Sequence, residues 1–71
     1  MKFNHNKLKE IRTNKNITMT SLMFSLDQCG LRLSRQTLVN WENGKTNPDA
    51  NDLAVLSSFY GVNILEFYSE Y

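Results

Sequence analysis

Few side chains in this sequence could make or break a covalent bond, and their spacing leaves them without partners. His5 is the one histidine and lies close to the N-terminus, where fraying is expected. Cys29 is the one cysteine, sits beside Gly30, and has no histidine near it in sequence to take its proton. A lone thiol cannot build an internal disulfide framework or a Cys-rich zinc site, and it fits a reducing compartment. Asp49 and Asp52 are placed as helix-cap acids, not as a metal pair, and there is no Gly-rich phosphate loop. The expectation is no enzyme, no metal, no cofactor and no small-molecule substrate. What the chain does offer is directional hydrogen bonding. Arg35, Gln36, Thr37 and Asn40 form one polar group, and Asn43, Lys45, Thr46 and Asn47 follow it. Gln36 and Asn40 are one helical turn apart and face the same way, with Arg35 bordering them.

These side chains must be carried by helices. No stretch alternates apolar and polar residues for long enough to read as a strand, and no hairpin signal is flanked by β-branched runs. Five helical segments can be read. The first runs from about Asn6 to Lys15, with Leu8 and Ile11 sharing a face. The second is capped by Thr18 and runs to about Leu26, with Leu22, Met23 and Leu26 buried. Residues 27–33 contain a Gly and no helical period, so they read as a loop. Ser34 caps the third segment, Arg35 to about Asn43, with Leu38 and Trp41 inward and Asn43-Gly44 as its stop. Asp49 or Asn51 caps the fourth, which runs to Tyr60 with Leu53, Leu56, Ser57 and Tyr60 inward. Asn63 caps a short fifth, from Ile64 to about Tyr68.

Seventy-one residues suffice for one domain, with roughly 60% of the unfolded surface buried. At 41% hydrophobic residues the chain is not disordered by composition, and the polar start Met1–Lys7 carries no secretory signal. No run approaches the roughly 20 apolar residues of a membrane span. The expected location is the cytoplasm of a bacterial host cell. A net charge of +1 conceals an asymmetry. Lys2, Lys7, Lys9, Arg12 and Lys15 make the front of the chain basic, while Asp49, Asp52, Glu66 and Glu70 make the back acidic.

The order of elements, with the string Leu33-Ser34-Arg35-Gln36-Thr37-Leu38-Val39-Asn40-Trp41-Glu42-Asn43-Gly44-Lys45 at its centre, resembles the Cro/repressor family of XRE-type helix-turn-helix proteins. Ile17-Thr18, Leu22 and Leu26 before that string, and Pro48, Leu53, Leu56, Tyr60-Gly61 and Phe67 after it, extend the resemblance to about residues 7–68. It implies an all-α, five-helix, lambda-repressor-like domain over residues 1–71, with the helix-turn-helix motif at about 18–43. Two features depart from the family pattern. The stretch from Leu26 to Leu33 is longer than the family's short turn, so the third helix could sit differently against the second. Met19 stands where the family carries a phosphate-binding Gln.

Carried over residue by residue, the resemblance implies a DNA interface. The third helix would enter the major groove, where Arg35, Gln36 and Asn40 could meet base edges and Thr37 a phosphate. Asn43 and Lys45, at the end of that helix, would hold the phosphate backbone and set register. Arg12 and Glu42 match a pair that the family uses as an internal salt bridge. Gly44 is expected to be structural.

Met19, Phe24, Val39, Val55 and Leu65 fall where helical period and family pattern call for polar residues. A contiguous apolar patch would mark a protein interface, with Met19, Phe24 and Val39 as its candidates. Two functions follow. One is a small phage-type transcriptional regulator that occludes operator DNA, binding as a dimer on a two-fold site. Its chain would stop where longer repressors continue into an oligomerisation domain. The other is an antirepressor that binds a partner repressor and masks its DNA-reading surface.

Overall fold

The computed structural model describes residues 2–69. Its helices are α1 (His5–Asn14), α2 (Met19–Gln28), α3 (Arg35–Asn43) and α4 (Ala50–Tyr60), followed by a 3-10 helix over Ile64–Phe67. Two short strands, β1 (Lys2–Phe3) and β2 (Tyr68–Ser69), pair antiparallel with Lys2 opposite Ser69 and Phe3 opposite Tyr68. The all-α expectation therefore holds, but the expected five helices become four, and the absence of strands is corrected. The fifth segment closes as a single tight turn because Tyr68 is extended, with φ −118° and ψ 149°, to meet the N-terminus. The Phe3 and Tyr68 rings sit edge to face, 6.0 Å apart between centroids, and Asn4 N–H donates to the Phe67 carbonyl at 2.7 Å. Among the described residues no helix is long and apolar enough to cross a membrane.

Each helix starts on a side chain that satisfies a free backbone N–H. Thr18 accepts from Ser21, Ser34 from Thr37, and Asp49 from Asp52, which answers in a reciprocal capping box. Asn4 opens α1, so His5 lies in the helix and not in a frayed end.

The helix ends explain the segment that reads as a loop. α2 continues past Leu26 to Gln28 and stops at Gly30, whose φ of +87° suits a residue without Cβ. Gly30 N–H then bonds the Asp27 carbonyl at 3.0 Å, and Leu31 N–H the Leu26 carbonyl at 2.9 Å. This wrap folds Leu31 back over Leu26, and both are buried. What remains between α2 and α3 is the short link from Cys29 to Ser34. Part of the apparent extra length is helix, and of its apolar residues Leu31 is core and Leu33 packs against it.

That core gathers Leu8 and Ile11 from α1, Leu22 and Leu26 from α2, Leu31 from the link, Leu38 and Trp41 from α3, and Leu53, Leu56 and Tyr60 from α4. Phe67, 0% exposed, closes it from the 3-10 helix. α3 is held between α1 and α2, with its opposite face outward.

Candidate nucleic-acid interface

The outward face of α3 carries Arg35 and Gln36 exposed, with Thr37, Val39 and Asn40 half-buried. Arg35 is exposed and has no acidic partner among the described residues. The Gln36 side-chain amide donates to the Asn40 side-chain oxygen at 3.0 Å. Thr37 turns its hydroxyl toward the capping Ser34, with the two oxygens 2.9 Å apart. At the far end of the helix, Asn43, Lys45, Thr46 and Asn47 are all exposed. Lys45 and Thr46 give their backbone N–H groups to the Asn40 carbonyl, at 2.9 and 3.5 Å. Both side chains are exposed, and Lys45 too lacks an acid among the described residues. The structure thus gathers the polar residues singled out from the sequence along one helix face and its exit loop.

α1 positions this helix through two side chains that lie two turns apart on one face. Arg12 Nε donates to Glu42 Oε2 at 2.8 Å and Nη2 to Oε1 at 3.0 Å, a bidentate pair. Its third donor, Nη1, reaches the Ile17 carbonyl at 2.8 Å. The hydrogen bonds it donates to Glu42 raise the Arg12 pKa above its ordinary value, against an opposing effect of burial. His5 takes the main chain of the same residue. Its Nδ1 lies 2.9 Å from the Glu42 carbonyl, and because a carbonyl only accepts, Nδ1 carries the hydrogen. Beside it Gly44 turns left-handed, with φ +79°, and a Cβ there would meet the His5 ring at 2.8 Å. Gly44 is therefore favoured by its left-handed conformation, and a side chain there would also have to displace the His5 ring. This role of His5 could not be read from the sequence, because His5 and Glu42 are 37 residues apart and meet only where α1 packs against α3.

Tyr60 completes the inner side of this junction. Its hydroxyl is buried with no hydrogen-bond partner among the described residues. Burial pushes the phenol pKa well above its ordinary range, the Glu42 carboxylate adds to the shift, and Arg12 opposes it. A tyrosine that ionises near pH ~10 when unfolded but later when folded weakens the fold as pH rises through that range. The wild-type melting temperature should accordingly fall above pH ~10. Tyr60→Phe should fall less steeply there and melt no lower than wild type at neutral pH, since it discards an unpaired buried hydroxyl. A parallel alkaline fall in both proteins, followed by circular dichroism, would contradict this.

The outward apolar residues divide. Phe24 is 61% exposed on α2 and Leu65 is 55% exposed. Met19 and Val55 pack partly against the core, and Val39 is half-buried. Arg32, an exposed cation in the link before α3, is paired with Asp27 at 3.1 Å. Among the described residues no group of three His, Cys, Asp or Glu is placed to hold a metal ion.

A curated relative, the HTH-type transcriptional activator BcrR of Enterococcus faecalis, is 38% identical over 69 residues, or 97% of this chain. The chain spans 31% of that relative's length. No solved structure is matched. A family model described as helix-turn-helix matches residues 8–67, from the first buried leucine of α1 to the phenylalanine that closes the core. With α2 and α3 joined as described and the match running through all four helices, this chain belongs to the helix-turn-helix family, of the XRE type.

Proposed function

We propose that the chain is the DNA-binding part of a transcriptional regulator and that it reads operator DNA through α3. The observation that carries this is the outward face of that helix. Arg35, Gln36 and Asn40 are turned away from the core, while the helix itself is fixed from behind by Arg12, His5 and Trp41. Rigid seating with free polar edges is what groove recognition needs. Likeness to a relative named as a transcriptional activator supports the regulatory role. In this reading Arg35, Gln36 and Asn40 meet base edges, and Asn43, Lys45 and Thr37 meet phosphates. A small phage-type regulator acting on a two-fold operator as a dimer is one setting in which this surface would work.

Phe24 favours a protein contact as the second reading. It is the only one of Met19, Phe24 and Val39 that is exposed, and it borders a groove of about 170 Å³ lined also by Met23, Asp27, Arg32 and Leu33. A repressor partner, or a second copy, would meet the chain there.

Fluorescence anisotropy on duplex DNA at several salt concentrations separates the two. The first reading expects binding that weakens with salt. Lys45→Ala should weaken binding to all sequences alike and lower the slope of log affinity against log salt by about one. Wild-type protein that binds no duplex even at low salt would shift the reading to the protein partner. An unchanged slope in Lys45→Ala would remove Lys45 from the phosphate contacts.

A further inference from the structure

His5 supports α3 with one ring nitrogen and leaves the other unspent. Nδ1 carries the hydrogen that goes to the Glu42 carbonyl, so in the neutral ring Nε2 holds a lone pair and no hydrogen. Nε2 has no hydrogen-bond partner among the described residues. Nor is it one of their buried unpartnered atoms, a class that holds the Tyr60 hydroxyl alone, so it reaches solvent. Its place is marked by Gly44, where a Cβ would lie 2.9 Å from Nε2. Gly44 sits between Asn43 and Lys45, the two exposed residues proposed above to meet phosphates. α1 thus delivers a titratable nitrogen from the start of the chain to the exit loop of α3.

We propose that His5 is a pH-dependent contact to the DNA backbone, its protonated ring sharing a phosphate with the exit loop, so that the chain holds DNA more tightly as pH falls. The inference rests on the DNA-binding role proposed above. One proton taken from solvent turns Nε2 from an acceptor, which a phosphate oxygen repels, into the donor of a charge-assisted hydrogen bond. The same proton leaves the support of α3 intact, because Nδ1 already carries its hydrogen and goes on donating to Glu42. The charged groups on the elements around the ring are Lys2 on β1, Lys9 one turn along α1, the Arg12–Glu42 pair, Lys45 in the exit loop and Glu66 on the 3-10 helix. The Glu42 carboxylate is spent on Arg12, and Glu66 accepts from the Asn63 N–H at 3.3 Å. The remaining lysines leave an excess of positive charge, which favours an anion. Histidine is the side chain that ordinarily changes charge between about pH 5 and 8, and His5 is the one histidine of the chain.

A phosphate contact does not depend on base sequence, so the probe is a fluorescent DNA duplex of mixed sequence. Anisotropy with the full chain gives its affinity from pH ~5.5 to ~7.5 at several salt concentrations. Wild type should bind roughly three- to ten-fold more tightly at the acid end. Its slope of log affinity against log salt should also steepen there by about one, as one more phosphate is neutralised. His5→Asn puts an amide N–H near the place of Nδ1–H but cannot titrate. It should bind as wild type does at the upper pH and lose both changes. Circular dichroism at each pH checks folding, and His5→Gln replaces the first variant where that one does not fold. The change of salt slope with pH is read on the unaltered protein and needs neither. Wild-type affinity and slope that ignore pH, or a variant that keeps the pH dependence, overturn the His5 contact and leave DNA binding standing. A chain that binds no duplex at low salt, whatever the pH, overturns DNA binding itself and the contact with it.

Discussion

Trp41→Ala is expected to cost about 3–5 kcal/mol of folding stability. Trp41 is 4% exposed and lies on the face of α3 that meets the core beside Leu38. Truncating it removes the largest apolar side chain of that helix from the core. The neighbours that would have to collapse into the space, Leu8, Leu22 and Leu56, sit on three different helices. Each of those helices is already held by its own caps and packing, so the cavity would persist. A small domain has only about 5–15 kcal/mol in total, so much of the population would unfold near physiological temperature. Urea denaturation followed by circular dichroism measures the loss directly. A midpoint equal to that of wild type would mean that α3 is not seated on this side chain.

Glu42→Ala is expected to lose about 3–5 kcal/mol by a different route. The Arg12 and Glu42 side chains are 13% and 7% exposed, so the carboxylate neutralises a guanidinium that water barely reaches. Without it, Arg12 keeps only the Ile17 carbonyl as a partner among the described residues. The loss comes from stranding a charge, not from forfeiting an attraction. A double change, Arg12→Met with Glu42→Leu, should therefore recover most of the stability lost in the single variant. The exposed Lys7–Glu10 pair, 3.2 Å apart, is the contrast: its removal should shift stability by no more than about 1 kcal/mol. Melting curves of the four proteins at neutral pH decide the matter. Glu42→Ala melting with wild type would show the pair to be solvated, and a double variant no better than the single would show that the pair's geometry matters beyond its charge.

Much of this architecture was legible because it is local. A cap is a side chain within three residues of the N–H it satisfies, and an amphipathic stripe is a spacing along one helix. Ser34, Leu38, Trp41 and Gly44 therefore marked α3 residue by residue, and Thr18 marked the start of α2. Gly30 was legible in kind but misplaced in effect. A glycine read as a sign of loop is in fact the stop of a helix two residues longer than its apolar period showed, because Asp27 and Gln28 add polar residues to the solvent face and so no apolar signal. The outward apolar residues were less legible. Period alone placed Met19 and Val55 outside, but the surface of a small domain curves, and neighbouring elements cover residues at the edge of a stripe.

By itself the sequence determined the four α-helical segments to within a few residues, the caps that open α2 and α3, which of their faces are apolar, and that a run of amide and cationic side chains lies along α3 and its exit loop. Those properties depend on backbone hydrogen bonding and side-chain period within a few residues, so no distant contact is needed to state them. Only the tertiary structure decided that Phe3 meets Tyr68, that His5 holds the Glu42 carbonyl against Gly44, and that Tyr60 buries its hydroxyl beside the Arg12–Glu42 pair. Each of these joins residues far apart along the chain, whose meeting depends on how the helices pack rather than on their local spacing. His5 acquires its role in this way: the Asn4 cap starts α1 at His5, and the packing of α1 on α3 makes that histidine a support for the helix proposed to read DNA.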